Sequence, residues 1–374
     1  MKAILHLTKN CNLRCKYCYA PSKIDESMSI DTARKAIDLV CKLGQTSACV
    51  SYFGGEPLLQ YEMIKELTEY AACAAEKVGK SMHYRLSTNG LLFTEEILQF
   101  LKEHNVLFAV SLDGNKKAHD AQRLLPNGEG SFDLLNSKLD MILAYNPLAV
   151  FTSVITPMSA PHLLDSAEFM WNRGIRYTVY QPDYSYPDWD LDTFATLKKS
   201  YQQLSKWYLD KTRSGEYFYM SLFDGCLKTH ARSPVKLGST CDFGARKISI
   251  APNGQIYPCV QFVSDREDAK RFLIGNVDNG LNDNWQRLIK ENKQARPQCE
   301  GCALLGRCSN YCGCLNWQTT GEITQVSPLV CEHERMLIPI ADEIGNTLWE
   351  EKNPAFLKKH YKFLNEAFEL YGID

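Results

Sequence analysis

Over roughly the first 210 residues, short runs dense in β-branched and aromatic residues alternate with longer segments whose apolar positions recur every three or four residues. The strand-like runs are AILHLT (3–8), ACVSYFG (48–54), YRLSTN (84–89), VLFAVSLD (106–113), AVFTSVIT (149–156) and YTVYQ (177–181). Between the first four of them lie three helix-like segments. SIDTARKAIDLVCKLG begins at Ser29, a capping residue, and presents Ala33, Ile37, Leu39 and Val40 as apolar positions. EMIKELTEYAACAAEKVG follows from Glu62, and TEEILQFLKEHN from Thr94. Six strand-helix repeats predict an α/β fold with parallel strands and outer helices, wound into a partial (β/α)6 TIM-like barrel. Functional sites of such folds lie at the strand C-termini. The unusual residues of this half fall there: CNLRCKYCY (11–19) follows the first strand, GGEP (54–57) the second, STNG (87–90) the third and SLDG (111–114) the fourth.

A chain of 374 residues has room for two domains, or for a barrel with an appendage. No run of about 18 apolar residues predicts a membrane span. Met1 leads directly into the first strand without a basic or apolar leader, so the expected compartment is the cytoplasm. Lys and Arg number 42 against 44 Asp and Glu, and the basic residues form no tract, so neither nucleic acid nor a membrane is an expected partner.

The abnormal feature is cysteine. Of fifteen, three lie within eight residues near the start and nine between Cys226 and Cys331. A disulfide framework belongs to small secreted domains, whereas clustered thiols in a large chain without an export signal point to metal or iron–sulfur ligation. Cys41, Cys49 and Cys73 fall in apolar segments and read as core.

The spacing Cys-x3-Cys-x-aromatic-Cys, placed after the first strand of such a barrel and followed by GGEP, resembles the radical S-adenosylmethionine (radical SAM) superfamily. The resemblance implies that Cys11, Cys15 and Cys18 hold three irons of a 4Fe–4S cluster. The fourth iron chelates S-adenosylmethionine, and reduction yields a 5'-deoxyadenosyl radical. It further implies that Gly54 and Gly55 let the backbone approach the methionine moiety and that Glu56 pairs with its ammonium group. Ser87, Thr88, Asn89, Ser111 and Asp113 lie where ribose and the methionine end are held, and Arg123 meets the cofactor carboxylate. Tyr17, and less directly Tyr19, is placed against adenine. Zinc is the competing reading of the three cysteines, but a structural zinc wants four closed ligands.

The second half has another pattern: Cys241, twelve residues, Gly254, four residues and Cys259, then Cys299, Cys302, Cys308 and Cys312, and finally Cys331. This is similar to the SPASM extension with its two auxiliary 4Fe–4S clusters, making three clusters in all. Tandem zinc ribbons are the competing reading here. The resemblance assigns Cys241, Cys259 and Cys312 to the first auxiliary site and Cys299, Cys302, Cys308 and Cys331 to the second. It divides the chain into a radical SAM barrel (1–214), a SPASM domain (215–335) and a C-terminal helical tail (336–374). CDFGARKISI from Cys241 offers no second thiol, so the first auxiliary site has three assigned cysteines. An iron left open there could bind a substrate thiolate; closure by Cys226 or Cys314 is the alternative.

SPASM proteins mostly act on peptides, which implies a peptide substrate and an external electron donor such as flavodoxin or ferredoxin. The expected reaction is a cysteine thioether crosslink in a ribosomally made peptide. The alternatives are formylglycine formation, as in anaerobic sulfatase-maturing enzymes, and a non-catalytic iron–sulfur carrier or scaffold. FDG (223–225) and YPC (257–259) match the sulfatase-maturing layout, but where those enzymes place an aspartate after the YPC cysteine this chain has Val260, which is no base. No further domain is expected before the barrel, so recognition falls to the barrel, the SPASM domain or a separate protein. The loop YQPDYSYPDWD (180–190) is the candidate peptide contact, through Tyr180, Asp183 and Tyr184 and also Tyr186, Asp188 and Trp189; packed lids have the same composition.

Overall fold

The computed structural model describes residues 1–20, 23–231, 241, 243–264 and 266–361. Seven parallel strands follow one another across most of a single sheet. They are β1 (Lys2–Thr8), β2 (Ser47–Gly54), β3 (Ser81–Thr88), β4 (Val106–Ser111), β5 (Val150–Ile155), β6 (Tyr177–Pro182) and β7 (Tyr219–Met220). Helices fill the crossovers: α1 (Ile30–Leu43), α2 (Tyr61–Glu76), α3 (Glu95–Glu103), the short α4 (Lys116–Asp120), α5 (Phe132–Asn136) and α6 (Leu139–Tyr145), then α7 (Leu163–Asn172), α8 (Leu191–Arg213) and, after β7, α9 (Ser221–Ala231). The caps read from sequence form as expected. Ser29 Oγ accepts from Thr32 N at 3.1 Å, and Thr94 Oγ1 accepts from Ile97 N at 3.2 Å.

The α/β partial barrel is therefore present, with two additions that the hydrophobic pattern did not predict. One is β7, whose two residues are too few for an alternation to register. The other is on the opposite edge, where β8 (Lys247–Ile250) pairs parallel with β1 through Lys2↔Lys247 and Ile4↔Ser249. The antiparallel strands β9 (Gln255–Tyr257), β10 (Gly275–Asn276) and β11 (Gly280–Leu281) continue outward from it. The eleven described strands thus run β11-β10-β9-β8-β1-β2-β3-β4-β5-β6-β7. The cysteine-rich half extends the barrel's own sheet beside the strand that carries the first cysteine loop. The buried core is likewise continuous, from Leu5, Val50 and Leu86 in the strands to Phe262, Phe272 and Trp317 in the second half.

Three further helices follow, α10 (Asp283–Asn292), α11 (Gly313–Thr320) and α12 (Pro328–Glu350), and residues 354–361 are helical as well. Ser327 caps α12, accepting from Leu329 N at 3.2 Å, with Pro328 in the first turn. Cys331 sits in that first turn, and the helix runs without interruption past residue 335 to pack on α8 and α9. No helix among the described residues is long and apolar enough to cross a membrane.

Candidate active site

The first cysteine loop leaves β1 and is tied down across the mouth of the sheet, because Arg14 N donates to Leu124 O at 2.7 Å and Lys16 N to Gln122 O at 3.0 Å. Cys18 N donates to Cys15 O at 3.2 Å, closing a turn that keeps the thiols near one another. Cys11, Cys15 and Cys18 are all free and partly exposed. Burial pushes the Cys15 thiol up to about 11, and the neighbouring Cys18 and Cys11 add to the rise. Burial likewise raises Cys11. Its Sγ accepts from Leu13 N at 3.4 Å, and Lys23 Nζ lies 2.9 Å from Cys18 Sγ. Backbone N–H groups and a lysine therefore already face sulfurs that would carry negative charge when ligating iron.

The GGEP turn packs directly beneath this loop. Gly54 has φ +131°, and a Cβ there would stand 2.5 Å from Thr8 O; one on Gly55 would stand 2.0 Å from Asn10 O. The close neighbour that requires both glycines is the backbone of the cysteine loop itself. Gly55 N donates to Thr8 O at 2.8 Å and Glu56 N to Asn10 O at 2.9 Å, so the ends of β1 and β2 are fixed to each other.

Glu56 is 1% exposed and joins these strands to β3. Its Oε1 accepts from Leu58 N at 3.0 Å and Thr88 Oγ1 at 2.7 Å, and its Oε2 accepts from Asn89 N at 2.8 Å. A carboxylate has about four acceptor positions, so one on Oε2 remains for an outside donor. Asn89 Nδ2 in turn donates to Asn12 Oδ1 at 2.7 Å, reaching back to the cysteine loop. Burial pushes the Glu56 carboxyl up to about 7, against the pull of the Asn89, Thr88 and Leu58 donors. A carboxyl raised above its unfolded value of 4.5 binds extra protons in the folded state, so its contribution to stability is full below pH 4.5 and declines as pH rises through about 7. Glu56→Gln is expected to remove that decline, measured as the pH dependence of urea unfolding between pH 4.5 and 7.5. An unchanged slope would contradict the shift.

On the far side of the mouth, Asp113 is a second hub. It accepts from Tyr17 Oη at 2.7 Å and Arg123 Nε at 3.0 Å on Oδ2, and from Val154 N at 2.9 Å and Arg123 Nη2 at 3.2 Å on Oδ1. These four donors fill the carboxylate, so Asp113 positions its neighbours. Burial opposes the Arg123 charge and Asp113 outweighs it, raising the guanidinium pKa. Two of the five N–H groups of Arg123 go to Asp113. The Arg123 guanidinium also stands 5.3 Å from the centre of the Tyr17 ring. Tyr17, expected against adenine, thus has one ring contact and its hydroxyl committed within the protein. Ser87 and Ser111 are half-buried near the C-terminal ends of β3 and β4.

The later cysteines form two groups. Cys259 Sγ and Cys314 Sγ are 3.4 Å apart and Cys312 Sγ and Cys314 Sγ 3.5 Å, and Asn292 Nδ2 holds Cys241 O and Tyr311 O, at 3.4 and 3.2 Å. Cys299, Cys302, Cys308 and Cys331 make the other group. Cys299 and Cys302 help raise both Cys308 and Cys331, though burial is the larger cause in each, and Asn310 Nδ2 lies 3.5 Å from Cys299 Sγ. In the first loop the N–H two residues on donates to a sulfur, from Leu13 N to Cys11 Sγ. A donor of this kind favours thiolate over thiol, the form that binds iron, and the three thiols of the first loop fit the cluster of a radical SAM domain. Tyr19 lies between sites, close enough to Cys18 and Cys259 for both to add to the rise that burial imposes on its phenol.

Residues 5–135 match the radical SAM superfamily. The chain carries a radical SAM domain. Among its relatives, MJ0907 of Methanocaldococcus jannaschii, described as uncharacterized, is 31% identical over 174 residues, 46% of this chain and 59% of that protein; the match spans less than two thirds of MJ0907. The cysteine-type anaerobic sulfatase-maturating enzyme of Clostridium novyi is 24% identical over 342 residues, 83% of this chain and 88% of that one. Of solved structures, anSMEcpe with bound AdoMet and Cp18Cys peptide superposes with a TM-score of 0.77 at 19% identity, covering 93% of this chain and 99% of that one. Streptococcus suis SuiB bound to its precursor peptide SuiA gives 0.58 at 16% identity, with 88% and 75% covered. These likenesses show the fold.

The aromatic loop at 180–190 folds differently from a groove wall. Tyr180 and Tyr184 are only 5% and 8% exposed, and Tyr184 packs on Cys299 and Val330 while its Oη lies 2.8 Å from His333 Nδ1. Asp183 Oδ1 accepts from Ser185 Oγ at 2.6 Å. Tyr186 is the member that reaches the mouth, with Gln122 Nε2 3.5 Å from its hydroxyl. Asn12, Lys23 and Gln122 were not legible as site residues, since each acts through a contact across loops and belongs to no spacing motif.

Proposed function

We propose that this enzyme cleaves S-adenosylmethionine reductively and abstracts hydrogen from a peptide. Cys11, Cys15 and Cys18 hold the radical SAM cluster, and the two later cysteine groups hold auxiliary clusters. Gly54, Gly55, Glu56, Ser87, Thr88, Asn89, Ser111 and Arg123 surround the cofactor, and Asp113 and Tyr17 set the direction of Arg123. The observation that carries this reading is the joining of the three-cysteine loop to Glu56 on one side and to the Asp113–Arg123 pair on the other, all at strand C-termini. When bound, the cluster and S-adenosylmethionine supply a 5'-deoxyadenosyl radical. A peptide substrate is supported by the Cp18Cys and SuiA peptides bound to the structural neighbours. The electron donor is external, of the flavodoxin or ferredoxin kind. We take residues 1–214 as the barrel, 215–335 as the SPASM domain and 336–374 as its tail, of which residues 362–374 lie outside the described residues.

For the bond made, a cysteine thioether is favoured over formylglycine. Val260 follows Cys259 in a short 3-10 turn, and Gln261, next in line, has its Oε1 engaged by Gln318 Nε2 at 2.7 Å. Neither side chain can take a proton, and an absent general base costs about 10²–10⁴ in rate. Aldehyde formation on a sulfatase-type cysteine peptide is expected to run at no more than about one hundredth of turnover on the best peptide substrate, followed by hydrazide capture and mass spectrometry. Comparable rates would overturn the preference.

A further inference from the structure

The first auxiliary group contains one cysteine more than its spacing pattern supplies. Cys314 lies two residues past Cys312, is buried, and places its Sγ 3.4 Å from Cys259 Sγ and 3.5 Å from Cys312 Sγ. Cys241 is brought to the same group by its backbone, since Asn292 Nδ2 reaches both Cys241 O and the carbonyl of Tyr311, next to Cys312. Cys226, the other spare cysteine of this half, is on α9, where Glu334, Arg307 and Asp342 surround it.

The placement of Cys314 is built into the local fold. Cys312 is the N-cap of α11, and Gly313 and Cys314 are its first two residues. A Cβ on Gly313 would lie 2.4 Å from Asn292 Oδ1 and 2.7 Å from the Phe243 ring, so only glycine allows the chain to pass there. Asn292 is itself fixed, its Nδ2 donating to Cys241 O at 3.4 Å and Tyr311 O at 3.2 Å. One buried side chain therefore sets the backbones carrying Cys241 and Cys312 against each other, and the glycine lets the next turn bring in Cys314.

We propose that Cys314 is the fourth protein ligand of the first auxiliary iron–sulfur site, so that this cluster is fully ligated by Cys241, Cys259, Cys312 and Cys314. The inference rests on the reading of these groups as iron–sulfur sites. It removes the open iron that could have captured a substrate thiolate. The site is left an electron-transfer role, and any substrate sulfur must be held by the protein or the peptide itself.

The test compares anaerobically reconstituted wild-type enzyme with C314A, C314S and C226A by iron and sulfide content, electron paramagnetic resonance of the reduced proteins, and the effect of added 2-mercaptoethanol on those spectra. Wild type and C226A are expected to hold three clusters with spectra that the thiol does not alter. C314A is expected to lose up to one cluster's iron or to show a new signal that the thiol shifts. C314S, which keeps the size of the side chain and a possible oxygen ligand, is expected to fold and change the spectrum or potential of one cluster only; it decides the matter if C314A does not fold. Unchanged iron, sulfide and spectra in both Cys314 variants, with a wild type holding three clusters, would overturn the inference alone. So would iron loss in C226A instead. A wild type that takes up only one cluster would overturn the underlying reading as well.

Discussion

Replacing Cys11, Cys15 or Cys18 singly with alanine is expected to reduce S-adenosylmethionine cleavage to background and to lower bound iron by one cluster's worth. Three thiolates leave one iron of a 4Fe–4S cluster for the cofactor, and losing another ligand leaves a cluster that is unstable or presents more than one open iron. The effect should be local. The loop is held by backbone bonds from Arg14 and Lys16 to Leu124 and Gln122, none of which involves a thiol. Circular dichroism of the variants should therefore match wild type while 5'-deoxyadenosine, followed chromatographically after anaerobic incubation with dithionite, disappears. Undiminished production with all three cysteines replaced would remove the assignment.

Asp113→Ala is expected to cause the largest loss of stability in the mouth of the barrel. The carboxylate is 1% exposed and receives four donors, two from an Arg123 that is itself 6% exposed. Removing it strands a buried guanidinium, a phenol and the Val154 N–H at once. Breaking one partner out of a buried ion pair costs about 3–5 kcal/mol, and that range is the expectation here, measured by urea unfolding of the cluster-free chain. Asp113→Asn keeps part of the hydrogen bonding and should cost less. A loss below about 1 kcal/mol for alanine would mean that Arg123 has other anchors.

Much of this arrangement was legible in the residues. The first six strands, the caps at Ser29 and Thr94, and the position of each loop motif at a strand C-terminus followed from periodicity. What stayed hidden depends on tertiary contact. GGEP reads as a turn that approaches a ligand, whereas Gly54 and Gly55 make room for the Thr8–Asn10 backbone. Asp113 reads as a cofactor contact, whereas its acceptors are filled by Tyr17, Val154 and Arg123, which are 96, 41 and 10 residues away in sequence. The 180–190 loop reads as an aromatic surface, whereas Tyr180 and Tyr184 are buried, Tyr184 against the second auxiliary group. Pairing of β8 with β1 was also not visible, because four residues, KISI, carry no period strong enough to name a sheet partner.

The central claim is that the radical made at Cys11, Cys15 and Cys18 takes hydrogen from a peptide. It is tested most directly by supplying a cysteine-containing peptide substrate in perdeuterated form with unlabelled S-adenosylmethionine and dithionite. The account predicts 5'-deoxyadenosine that carries one deuterium, formed together with a peptide that has lost two hydrogen isotopes and no longer has a free thiol. Unlabelled 5'-deoxyadenosine alongside an unchanged peptide would contradict it.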